Sequence, residues 1–452
     1  MNRPRAAGSL SSLAPRSGER VGVRGRFTAA VCLFVACAST GTTSTSRSTS
    51  TSTSTSTSTS TSASATSEGV APGGAGAKRY APSPGEDGRA ALPPDKLRRA
   101  LLGEVRGAAR KLGKAAPEAD ARLDWAMTEL ARQVRGDELP ALDVVEFLLA
   151  HYGLVEPSPH ILMSSASSAG ESELAAHTRG EISEMLRTAD IRRIGIGIDR
   201  SGDMIHVVLG LQERHVELLE AIPRHVPPGG QVSIQARIAP GLANPEVVVT
   251  APDGTVRQQN PALRKGVIRD VVRCLTAGRH QVEIVASGTA GATVLANFPL
   301  YCGVAPPAVA PRAAGVRTVT VTAEEAETQM LALINRDRKR AGVGPVVLDD
   351  KLTAIARAHT RDMVDHDFVA HTSPRTGSPG DRVRRAGLAP TFTSENVGRA
   401  YTAEEAEQGF MSSPGHRANI VDPRPTRVGI GIVFGAAVTG TRPLFVTQLF
   451  TN

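Results

Sequence analysis

The run "MSSPGHRANI", residues 411–420, sets two serines, an imidazole and a guanidinium within ten positions. Those groups could move protons, hold a ligand or begin a helix. An imidazole titrates near neutral pH and is a common metal ligand. A serine hydroxyl becomes a nucleophile only beside a base that removes its proton. The serines of this region (Ser373, Ser378, Ser394, Ser412 and Ser413) have local explanations instead. Ser378-Pro379 and Ser413-Pro414 read as N-cap plus first-turn proline pairs, with Asp381 and His416 at the third helical position. No serine or cysteine nucleophile is expected here.

These residues need a scaffold, and hydrophobic spacing supplies one. "TAEEAETQMLALINRDRKRAG" predicts a helix opened by a Thr322/Glu325 capping box, striped by Met330, Leu333 and Ile334, and ended by Gly342. "DDKLTAIARAHTRDMVDH" predicts a second helix with Leu352, Ile355, Ala356, His359 and Met363 on one face, which makes His359 a core histidine. A third helix starts at a Thr402/Glu405 capping box and runs through Phe410. Two strands, "TRVGIGIVFG" and "RPLFVTQLF", close the chain.

Between these elements stand, in order, "DFVAHTSPRTGSPGDRVRRAG", "TSENVG" and "GFMSSPGHRANI". With the final strand pair they resemble the CAP superfamily (cysteine-rich secretory, antigen 5 and pathogenesis-related proteins) in its bacterial form, over residues 323–452. The resemblance implies an α-β-α sandwich with a central antiparallel sheet, and a cleft that in many members carries two histidines and two glutamates. His371 matches the first histidine, Glu395 the glutamate of the Gly-Glu-Asn motif, and His416 the second histidine, thirteen residues before Gly429. The second glutamate falls at Ser413, so the set is incomplete; Ser394 replaces the usual glycine and Phe410 the usual tryptophan.

A cleft bearing His371, Glu395 and His416 beside Ser413 could hold Zn²⁺ or another divalent cation, since neutral imidazole and carboxylate are its ordinary ligands. An open coordination position would allow a bound water to be activated. The three residues are separated by 24 and 21 positions, without HExxH-type spacing to pre-organise them. Structural roles compete: His416 at a helix start, His371 and Glu395 bracing two loops, Arg382 and Arg417 in loop contacts, Asn396 tying its loop to the backbone.

The remainder of the 452 residues divides by composition. Of the net charge of +8, residues 1–37 carry +5, from six arginines against Glu19. The +3 left over forms no basic block beside aromatics, which argues against nucleic-acid binding. Residues 1–38 read as an export signal: arginines, then "FTAAVCLFVAC", too short to span a bilayer. "FVAC" resembles a lipobox, which would leave Cys37 lipidated at the membrane; cleavage before Ser39 would release the chain, and a start nearer Val21 or Val23 would shorten the leader. Residues 39–92 are a Ser/Thr-rich tether and 305–322 a Pro-rich linker. Residues 213–304, short Val/Ile-rich runs between turns, predict a β-sandwich stapled by a Cys274–Cys302 disulfide. Residues 93–212 repeat two features of the C-terminal domain, a Leu-Asp before an Ala-rich helix and "RRIGIGIDRSGDMIHVVLGL" as strand, turn and strand. They read as a degenerate CAP-like copy. The expected fold class is thus α+β, a C-terminal α-β-α sandwich preceded by a β-sandwich and a degenerate CAP-like α+β domain.

Three functions compete. The first is an exported, envelope-associated binding module for a lipid, an envelope fragment or a partner protein, on the outer surface or secreted. The second is a metal-dependent hydrolase or peptidase. The third is a structural surface protein with an idle cleft.

Overall fold

A computed structural model of the chain describes residues 28–31, 33–37, 72, 76–82, 91–133, 140–311, 321–436 and 442–452. Most of the expected leader and tether lies outside them. Thr28–Val31 and Leu33–Cys37, from the apolar run, are strands at the edges of two sheets, while the side chain of Cys37 is outside the description. Among the described residues no helix is long and apolar enough to cross a membrane.

The fold is α+β. In the C-terminal domain the sheet runs Val347–Leu348, Arg427–Phe434, Leu444–Thr451, Thr393–Ala400, with only the first pair parallel. Helix Ala323–Arg340 opens with the expected capping box between Thr322 and Glu325. Helix Asp350–Asp365 buries Leu352, Ala356, His359 and Met363, with Ile355 half-buried, and lies across the "VGIGI" strand. That crossing depends on two glycines: a Cβ on Gly429 would stand 2.2 Å from the Leu352 carbonyl carbon, and one on Gly431 would stand 2.3 Å from the Arg357 nitrogen. Only a residue without a side chain lets the two backbones meet. At Thr402 half of the expected box forms; Glu405 reaches back to the Tyr401 N–H instead.

The N-terminal domain has the same strand order, with Glu118–Ala119, Ile191–Ser201, Met204–Glu213 and His160–Ser167 in the corresponding places. Gly195 and Gly197 likewise admit the backbone of helix Ala121–Gln133, whose Leu123 and Met127 they touch. The row Gly429–Leu449–Glu395 corresponds to Gly195–Gly210–Ile161. An isoleucine therefore stands where the C-terminal domain carries its carboxylate.

Between these domains two sheets face each other. One holds Gln231–Ile238 with Val267–Arg273 and Val216–Leu218; the other holds Gly278–Gly288 paired with Gly291–Cys302 and Ala243–Thr250. Val232, Ile234, Ile268, Val282, Ile284 and Phe298 fill the space between them. One contact departs from an all-antiparallel sandwich, since His225–Val226 pairs parallel to Tyr301–Cys302. Cys274 and Cys302 form a disulfide with Cα atoms 5.4 Å apart, closing a 28-residue separation. Replacing both by serine is expected to destabilise this unit by about 2–3 kcal/mol through the freed unfolded chain. A urea midpoint unchanged from wild type would refute that.

Candidate functional site

The C-terminal domain buries the residues singled out above: His371 is 1% exposed, Glu395 and His416 0%, and Ser413 2%. Glu395, on strand Thr393–Ala400, is fully engaged. Its Oε1 lies 2.9 Å from His371 Nδ1 and its Oε2 accepts from Arg382 Nη2 at 2.5 Å. Arg382 also donates to the carbonyls of His371 and Gly377, at 2.9 and 2.7 Å. It sits on helix Pro379–Arg385, whose start is set by the Ser378/Asp381 capping box. Burial opposes the charge on Glu395, yet Arg382, His359 and His371 hold its carboxyl down at about 2. His359 is the core histidine expected, its Nε2 donating to the Ala370 carbonyl and its pKa lowered by burial.

His416 belongs to a second arrangement. Helix Pro414–Ile420 begins at Ser413, but that hydroxyl does not cap it. Instead Ser413 Oγ donates to Glu283 Oε1 at 2.6 Å, and the Gly415 N–H donates to Glu283 Oε2 at 2.8 Å. With its proton directed at Glu283, Ser413 Oγ accepts from His416 Nδ1, 2.8 Å away. The Phe410 ring packs on the imidazole at 5.0 Å. Amides link the two arrangements: Asn396 donates to the His416 carbonyl, and Asn419 donates to Asn396 Oδ1 and to the Glu395 carbonyl. Asn396, expected on a loop, lies on strand Thr393–Ala400 and ties that strand to the backbone of helix Pro414–Ile420.

Glu283 belongs to the β-sandwich, and it changes the meaning of the cleft. On the other side the Thr372 N–H donates to the Ala290 carbonyl, and a Cβ on Gly291 would stand 3.1 Å from His371 Cβ. The hairpin of Gly278–Gly288 and Gly291–Cys302 therefore lies over both histidines. Burial pushes the Glu283 carboxyl up to about 7, against the pull of Ser413 and Gly415 and assisted by the charges of Glu146 and Glu246. The neighbouring Ser412 donates to Glu146 Oε1, on the N-terminal domain's helix Leu142–His151, at 2.7 Å. Two adjacent serines therefore hold carboxylates from two different domains.

A metal does not fit this set. Both oxygens of Glu395 are taken by His371 and Arg382, and the guanidinium places a positive charge where a cation would sit. Among the described residues no group of three or more His, Cys, Asp or Glu side chains could hold a metal ion. The expected His371/Glu395/His416 ligand set is thus corrected to two hydrogen-bonded arrangements. Nor are the Ser413, His416 and Glu283 contacts arranged as a nucleophile triad: the serine stands between the imidazole and the carboxylate, where a triad needs the imidazole between the other two.

The C-terminal domain holds a further buried carboxyl. Glu407 accepts from Gln448 Nε2 at 2.7 Å, and burial pushes it up to about 8. Its folded pKa lies above the ordinary 4.5, so its contribution is complete below that pH and is lost as pH rises through about 8. Glu407→Gln is expected to exceed wild type by about 4–5 kcal/mol at pH 8.5 and to match it near pH 4. Parallel pH profiles of the two proteins would refute this.

Residues 331–450 match the CAP family, the cysteine-rich secretory protein family. The C-terminal domain is a CAP domain. The Bacillus subtilis (strain 168) uncharacterized protein YkwD is 34% identical over 113 residues, 25% of this chain and 44% of its own. The uncharacterized membrane protein YlbC of the same strain is 28% identical over 107 residues, 24% of this chain and 31% of its own. The chain thus spans less than half the length of either curated relative. Among solved structures, an extracellular SCP-domain protein from Bacillus anthracis str. Ames aligns with 71% of this chain and 98% of its own, at 14% identity and a TM-score of 0.26.

Glu283 and Glu146, which dock against the CAP domain, are the residues that sequence reasoning missed. A signal existed for Glu283: in "HQVEIVAS" it is an acidic residue within a strand whose alternate positions Val282, Ile284 and Ala286 face the sandwich core.

Proposed function

We propose that the chain is an exported, envelope-associated binding protein that performs no chemistry at its His/Glu cleft. The carrying observation is the closure of that cleft by Glu283, Ala290 and Gly291 of the β-sandwich, which leaves His371 and His416 serving internal contacts. Recognition then belongs to the junction of the three domains, where a cavity of about 550 Å³ opens beside Ser412 and Ser413. Cavities of this size at domain boundaries are the usual place for a ligand. Export is supported by the arginine-rich leader before a short apolar run and by the Cys274–Cys302 disulfide. Anchoring through Cys37 would keep the ligand, whether lipid, envelope fragment or partner protein, at the membrane.

Purified full chain passed over fractionated envelope lipids, glycans and proteins is expected to retain one component unaltered. Val309→Trp, at an exposed residue of the cavity lining, is expected to abolish that retention. Chemical conversion of the component, or retention indifferent to Val309→Trp, would overturn the proposal. A structural protein with an idle cleft is the second reading, favoured by the burial of both histidines; retention of nothing from any fraction would establish it.

A further inference from the structure

The cavity at the junction has a chemistry of its own. Helix Leu142–His151 contributes Asp143, Glu146 and Phe147, and the sandwich contributes Gln281, Glu283 and Tyr301. Arg279 and Glu156 also line it; Glu156 is already paired with Arg193, and Arg279 is exposed. Four carboxyls, Asp143, Glu146, Glu156 and Glu283, face one guanidinium, Arg279, in its lining. Gln281 is 7% exposed, spends its amide N–H on Asn297 Oδ1 at 2.5 Å, and leaves its buried Oε1 with no partner. A buried acceptor without a donor is costly and calls for one from outside.

We propose that this cavity binds an organic cation, a primary ammonium or guanidinium that donates to Gln281 Oε1 and is balanced by Glu146 and Glu283. Phe147 and Tyr301 supply apolar and π surface for the attached chain. Burial raises the pKa of both glutamates; the charges of Glu146 and Glu246 add to the difficulty of Glu283, Asp143 adds to that of Glu146, and Ser412 and Arg279 ease Glu146. A bound cation relieves that repulsion, whereas an anion such as a phosphate headgroup would increase it. The shared chemistry admits two sources, a free polyamine or a basic side chain of a peptide. The inference deepens the binding role above and rests on it only for the use of the cavity.

Calorimetry of the full chain with spermidine, with the tripeptide Gly-Lys-Gly and with neutral diacetylchitobiose tests it. Saturable binding of spermidine, the tripeptide or both is expected, and which one binds identifies the source. Glu146→Gln, which keeps an acceptor for Ser412, is expected to weaken that binding about tenfold, and Arg279→Gln to tighten it about threefold. Arg279 is exposed, so its variant reports on charge without threatening the fold. No binding of either cation, affinities unmoved by Arg279→Gln, or chitobiose binding as tightly as the cations would overturn the inference. If an envelope fraction is retained while both cations fail, the ligand class is wrong and the binding role stands. If the cations bind and no fraction is retained, the site stands and the envelope role falls.

Discussion

Glu395→Ala is expected to destabilise the CAP domain by about 3–5 kcal/mol, because it strands the Arg382 guanidinium, itself 5% exposed, without its carboxylate. Burying a charge is tolerable here only because the pair and its hydrogen bonds are complete. The sign of the pH dependence follows from Glu395 being held at about 2 in the folded state against an ordinary 4.5. Its contribution is fully present above about pH 4.5 and disappears as pH falls toward 2. Urea denaturation at pH 7 should separate wild type from variant widely, and the gap should narrow steadily below pH 4. A gap under about 1 kcal/mol at pH 7 would mean that the pair is solvated and screened.

Gly431→Val is expected to cost the same domain upwards of about 3 kcal/mol, a fall in Tm of roughly 10 °C or loss of the fold. Even the first added carbon would stand 2.3 Å from the Arg357 nitrogen and 2.4 Å from the Ala356 carbonyl carbon. Both are backbone atoms, so no rotamer change can yield. The helix would have to lift from the strand, opening the layer in which Thr360 Oγ1 meets the Gly431 carbonyl and Thr447. Gly197→Val should do the same to the N-terminal domain, where the contact is 2.1 Å from Met127. A variant with wild-type Tm would show that helix and strand do not touch at this glycine.

These cases also show what was legible in the chain. The glycine-alternating strands, the Thr322 and Ser378 caps and the apolar face around Ala356 and Met363 are local patterns, and each survives in the fold because nothing distant competes with it. The family motifs located the right histidines and carboxylate. Their use was not legible. Arg382 reads as a loop brace, and its second role as the counter-ion of Glu395 depends on a loop geometry that spacing does not encode. Ser413 reads as a helix cap because Pro414 follows it, but its hydroxyl donates its hydrogen bond to a carboxylate 130 residues earlier instead. Such a contact lies between domains, and sequence periodicity carries no information about which outer face of a sheet meets which helix.

The most direct test of the closed cleft is backbone hydrogen exchange in the full chain, compared with the Glu283→Ala variant. With the sandwich seated, the Gly415 and Thr372 amides donate to Glu283 and to the Ala290 carbonyl, and both should be strongly protected. In the variant, protection at Gly415 should fall by about tenfold or more, with 411–416 opening as a unit and the Cys274–Cys302 region unchanged. Rapid exchange at Gly415 and Thr372 in the wild-type protein would contradict the closure, and return His371 and His416 to an open cleft.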